Sequence, residues 1–204
     1  MNINYKLLIN ILFVIITVSI VILYSFFKST SIPDYWNINS IDNWDWNIEY
    51  ITNKWSYTLK KMEEYNINSL IILKKSYINN DNGDLIPFDF VLWWDKMINK
   101  DNLSYISFSQ SQRWYYYKIN DIKKLNIPYN EVWLMTANTH IIPETEYIFK
   151  ELSKLEEWDK VELKWYLVNI KDNKTWYMLK TSLSRSDTGA WACEIFYIKE
   201  IIKK

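Results

Sequence analysis

Only one cysteine, one histidine, two glycines and four prolines occur in 204 residues. The single Cys193 excludes an intramolecular disulfide and any zinc site built from several thiolates. No metal or cofactor motif is present, and no cofactor is expected. The acidic cluster "NNDNGD" lacks the ligand spacing and final Glu of a calcium loop, so it reads as a turn at Asn82-Gly83. Lysine and arginine together number 24, as do aspartate and glutamate, and no basic run exists. A neutral chain without a basic stripe is a poor match for backbone-driven binding, so no nucleic-acid partner is expected. Arginine is also scarce, at two residues, Arg113 and Arg185. Against a lysine background, an arginine marks a position that uses the planar donor fork.

The rare residue types are gathered together. "SRSDTGAWAC" (184–193) contains Arg185, Asp187, Gly189, two of the three alanines and Cys193. "TANTH" contains the third alanine, Asn138 and the only histidine, His140.

Tryptophan, by contrast, is abundant at twelve residues, and so are apolar residues at the N-terminus. Leu7 to Phe27 is an uncharged run of 21 residues. As a helix it would be about 30 Å long, the thickness of a bilayer core, and it exceeds the ~7–15 residue apolar core of a secretory signal. Lys6 precedes it. The expectation is a single-pass signal anchor (1–28), a polar tether (29–43) and one domain (44–204) outside a bacterial cytoplasmic membrane. The membrane is then one partner, and another envelope protein is the expected second.

Alternation in "NWDWNIEY" and "WSYTL" predicts half-buried strands, and "INSLIILKKSYI" predicts another. "PFDFVLWWDKMI" reads as a short helix or an irregular aromatic plug. "LSYISFSQSQRWYYYKI" gives one or two strands. The stretch 128–155 reads as helical, opened by Pro128 and interrupted at Ala137-Asn138, with Thr145 or the residues before it starting the second helix. "KVELKWYLVNI", the turn "KDNK" and "TWYMLK" form a hairpin, and "CEIFYIKEI" closes the sheet. The fold class is α+β, mostly β: a transmembrane helix, then a small barrel-like domain, OB-like, with a helical insertion.

Three blocks, "SFSQSQRWYYYK", "IPYNEVWLMTANTHIIP" and "TSLSRSDTGAWACEIFYI", resemble in order those of an uncharacterised family of bacterial membrane-anchored proteins. There the blocks read approximately ISQSxRFY, SANxHLIPA and SSLTRxDTGxGACE. The resemblance spans Ser107 to Ile198 and the anchor, about half of the chain. This chain departs at Trp191, where the pattern prefers Gly, and at Thr136 for Ser. The resemblance implies one shared domain and carries no activity.

Two functional readings follow. In the first, the domain is a binding or assembly module of the cell envelope, and Arg113, Asn138, His140, Arg185, Asp187 and Gly189 form a polar cluster that clamps the fold. Period-2 alternation then buries Cys193 on one face with Ile195 and Tyr197, as an inert core thiol. In the alternative, the chain is a thiol-dependent hydrolase: Cys193 is the nucleophile, His140 the base, Asp187 or Asn138 orients it, and Arg185 with the amides around Gly189 stabilises an oxyanion.

Overall fold

The computed structural model describes residues 15–20, 38–42, 46–78, 83–187 and 192–204. It divides into two compact units, Met1–Asp34 and Tyr35–Lys204. In the first, residues 15–20 are helical, with Ile15, Ile16, Val18 and Ile20 exposed. The rest of the expected anchor and most of the tether lie outside the described residues. Among the described residues, no helix is long and apolar enough to cross a membrane.

The second unit is mostly β. An eight-stranded sheet is built from β1 (Asn39–Asp42), β2 (Asn47–Ile51), β3 (Ser56–Ser76), β4 (Phe88–Trp93), β7 (Thr136–Pro143), β8 (Lys160–Asp172), β9 (Met178–Leu179) and β10 (Glu194–Lys203). A separate hairpin pairs β5 (Ile106–Ser111) with β6 (Trp114–Ile119). The sheet order is β1-β2-β3-β4-β7-β10-β8-β9, with a further pairing of β3 to β8. The sheet therefore rolls back on itself, but it is not a closed barrel. The parallel pairing of β7 with β10 begins only at Thr139 and Glu194. Before those residues the two strands part, leaving a seam.

Two expected strands, around "WSYTL" and "INSLIILKKSYI", are one strand of 21 residues, β3. The ladder shifts register between Lys61 and Glu63 and again between Ile71 and Leu73. Bulges of this kind bend a strand. They let β3 pair with β8 from Tyr57 to Leu70 and with β4 from Leu70 to Ser76.

Two expectations are corrected. Within "PFDFVLWWDKMI", Phe88–Trp93 forms strand β4 rather than a helix or plug and only Asp95–Ile98 is a short helix, and "TANTHIIP", inside the expected helical stretch 128–155, forms strand β7. All residues of both strands are buried. One face of β4 meets helix α1 (Glu146–Lys154) through Phe88 stacked on Phe149 at 5.4 Å. At the end of β4, Trp93 meets the hairpin, donating its indole N–H to Tyr115 Oη at 2.9 Å. A strand covered on both faces loses the alternation that reveals it. The helical content of 128–155 is the pair of short turns Tyr129–Val132 and Trp133–Met135, followed by α1.

Helix α1 carries the connection between β7 and β8. Thr145 caps it by accepting the Ile148 N–H, and Ile148, Phe149 and Leu152 face inward. At its far end Lys74 Nζ donates to the carbonyls of Leu152, Ser153 and Leu155 at 2.9, 2.8 and 2.6 Å. A lysine from β3 thus fills the C-terminal carbonyls, where a cation is also favoured by the helix dipole. Lys74→Met is expected to lower unfolding stability by about 2 kcal/mol, as charge-assisted hydrogen bonds are lost. Urea denaturation measures it, and an unchanged midpoint would remove Lys74 from the cap.

Candidate functional site

Asp89 is the one charge in the run from Ile86 to Trp94, and its carboxylate is fully buried. Such a group needs partners. Arg113 Nη1 donates to Oδ1 at 2.8 Å, and His140 Nδ1 lies at 2.8 Å from the same oxygen. Cross-strand register places His140 directly opposite Asp89. Arg113 comes from the tight β5–β6 turn, where Gln112 and Arg113 have φ of 49° and 65°. Left-handed backbone costs a non-glycine residue roughly 1–2 kcal/mol. Four further contacts hold the turn: Arg113 Nη2 to Ile86 O at 3.0 Å, its backbone N–H to Tyr77 Oη at 3.0 Å, its guanidinium 4.0 Å from the centre of the Tyr77 ring, and its carbonyl accepting from Asn138.

Cys193 lies one residue before the β7–β10 pairing, in which Ile195 sits opposite His140, and its thiol acts electrostatically on the imidazole. Burial alone would lower its pKa, but hydrogen bonds and charge from Asp89 and Cys193 overcome this and raise it to about 9. Asp89 thus holds the imidazole at 2.8 Å, and the Cys193 thiol is the next group to influence it. Asn138 lies beside it. Its Nδ2 donates to Arg113 O at 2.8 Å and lies 3.5 Å from Cys193 Sγ, while Gln110 Nε2 holds its Oδ1 at 2.9 Å. The amide is therefore locked, with its nitrogen between the Arg113 carbonyl and the sulfur.

Cys193 is not the buried core thiol that alternation predicts. It is half-buried, because it precedes β10 at the point where β7 and β10 part. There a cavity of ≈ 410 Å³ opens between the strands. Its wall includes Cys193, Asn138 and Arg185, and its aromatic lining includes Trp114, Tyr116 and Trp133.

Arg185 and Asp187 do not join His140. Arg185 donates to Glu194 Oε1 and to Tyr65 Oη, and its guanidinium lies 4.8 Å from the Trp94 ring centre. Burial pushes the Glu194 carboxyl up to about 7, against the pull of Arg185, backbone hydrogen bonding and His140. Asp187 accepts from Ser182 Oγ at 3.0 Å and does not orient the histidine; Asp89 does. Gly189 lies outside the described residues. The expected single polar cluster is thus two, one around Asp89 and one around Glu194. Sequence reasoning missed both carboxylates. The available signal for each was an acidic residue inside an apolar strand, "PFDFV" and "CEIFYI".

Comparison with protein-family models, curated proteins and solved structures finds no match. Among the described residues no group of acidic, histidine and cysteine side chains could hold a metal ion.

The raised values set a pH dependence. Each group binds its proton more tightly in the folded chain, so each contributes stability that is lost as pH rises. For Glu194 the loss runs from about 4.5 to 7, and for His140 from about 6.5 to 9. Lys74, lowered to about 8, opposes this only above that pH. Stability in urea is expected to fall steadily from pH 5 to about pH 8. The one histidine can be titrated by NMR without ambiguity. Its midpoint is expected near 9, returning toward 6.5 in Asp89→Asn. A wild-type midpoint at 6.5 would show that Asp89 does not hold the proton on His140.

Proposed function

We propose that this chain is a membrane-anchored thiol enzyme that cleaves a carboxylic ester or amide by acyl transfer. The observation that carries the reading is the series Asp89–His140–Cys193 ending at a cavity wall: a nucleophile, a base and an orienting carboxylate. In the reacting form His140 already holds the proton taken from Cys193, and the sulfur attacks the carbonyl carbon, forming the S–C bond as the carbonyl electrons move onto oxygen. Asn138 Nδ2, held beside the sulfur, is the side-chain donor placed to meet that oxyanion. On collapse His140 returns its proton to the departing alcohol or amine. Water then cleaves the thioester with His140 again taking a proton, and the free acid leaves. Asp89 positions the ring and balances the imidazolium.

The architecture reads as OB-like. In chain order the rolled strands are β3, β4, β7, β8 and β10, neighbouring in the order β3-β4-β7-β10-β8 and back to β3. The third and fifth are parallel, and a helix joins the third to the fourth. That is the strand order of a partly open Greek-key barrel. Anchoring at the outer face of a bacterial cytoplasmic membrane rests on the uncharged run of 21 residues and on Lys6 before it.

A binding module is the second reading. It draws support from the aromatic wall of the cavity, which would stack a ligand without reacting with it. Alkylation separates the two. Cys193 in the native chain is expected to react with iodoacetamide at neutral pH at least ~10-fold faster than free cysteine, as a nucleophile paired with a base does. His140→Gln should remove the acceleration. Incubation with activated esters should leave an acyl group on Cys193, detected by mass spectrometry. A native thiol that is no faster than free cysteine and takes up no acyl group would leave the binding module.

A further inference from the structure

The turn between β8 and β9 and the first residue of β9 expose Trp176, Tyr177 and Met178 consecutively, at 70%, 66% and 56%. Isolated exposed aromatics are ordinary, but three adjacent apolar residues at a turn are not. Trp176 also has φ of 62°, in the left-handed region that favours glycine. The turn is otherwise well made. Asp172 Oδ1 accepts the N–H groups of Lys174 and Thr175 at 2.7 and 2.9 Å, and Trp176 N–H reaches Asp172 O at 2.9 Å. A bulky indole is thus held outward at a strained position by a hydrogen-bonded loop.

Lysines surround it. Lys171 Nζ lies 4.0 Å from the Trp176 ring centre, and Lys174 Nζ lies 4.3 Å from that of Trp55 in the neighbouring turn. The acid at the tip, Asp172, is occupied by its own turn. Indole, phenol and lysine together suit the boundary between phospholipid headgroups and acyl chains.

The chain's path selects that occupant. Asn39 pairs with Ile51, Ile51 with Ser56, and Asn173 N–H bonds Ser56 O at 3.1 Å. The polypeptide therefore joins the sheet at the row from which the tip projects. Only residues 28–37 separate the uncharged run from Ile38. Ten residues reach at most about 35 Å when fully extended, so an anchored chain keeps this end of the domain near the bilayer.

We propose that the β8–β9 tip docks on the membrane surface, with Trp176 and Tyr177 in the interface and Lys171 and Lys174 against anionic headgroups. The proposal rests on the anchoring reading and is independent of any chemistry at Cys193. The test uses the full chain in vesicles of phosphatidylethanolamine and phosphatidylglycerol whose acyl chains are brominated near the headgroup. Bromine should quench part of the tryptophan fluorescence, and Trp176→Phe should lose most of that quenched part. Equal quenching in both chains, in vesicles that retain the protein through alkaline carbonate washing, would overturn docking and leave the anchor standing. Release by the wash would overturn the anchor and docking together.

Discussion

A carboxylate with no exposure to water organises the middle of this protein. Asp89 cannot be buried as a charge unless cations are brought to it, and each cation comes from a different part of the chain. Arg113 lies 24 residues away and His140 lies 51 away. Meeting both fixes the β5–β6 hairpin over β4 and fixes β7 beside it. Deleting one partner of a buried pair leaves an uncompensated charge, typically worth 3–5 kcal/mol of destabilisation by order of magnitude, ~4 kcal/mol centrally. Both cations meet Oδ1, and Oδ2 has no hydrogen-bond partner among the described residues. The arrangement therefore holds a histidine in one orientation more firmly than it satisfies the acid.

The seam between β7 and β10 lies beside that ring. Parallel strands need a crossover, supplied here by α1 and β8, and they pair only from Thr139 and Glu194 onward. Thr181 fills part of the gap by offering its hydroxyl oxygen to the Ile195 N–H, and Ser182 N–H bonds the Cys193 carbonyl. Main-chain bonding thus fixes Cys193 in place while its side chain remains half-buried. One residue later, Glu194 is buried and held by Arg185. Each of the two scarce arginines serves one buried acid, and each lies over an aromatic ring. Lysine, a point charge on a flexible stem, would not reproduce either fork.

The tryptophans divide by environment. Trp93 is wholly buried and hydrogen-bonded through its indole to Tyr115. Trp114 and Trp133 line the cavity. Trp176 is mostly exposed at a turn. A composition that looks like a single bias in the sequence is distributed over packing, cavity lining and surface.

Much of the β framework was legible by itself. The alternation of "NIEY", the apolar stretch of β3, the turn after β8, the Thr145 cap and the final strand all depend on neighbours a few residues apart, and local physics governs them. The clustering of rare residues at 136–140 and 184–194 falls on two segments that contribute to one cavity wall, since a position that lysine, isoleucine or asparagine cannot fill keeps an unusual residue. Tertiary structure alone decided the rest. β4 and β7 look like helix or plug because both of their faces are covered, which erases the period. Asp89, rather than Asp187, orients His140 because cross-strand register, not sequence distance, sets which side chains meet. Cys193 is open to a cavity because of where two strands separate, and a strand's end is settled by its partner rather than by its own residues.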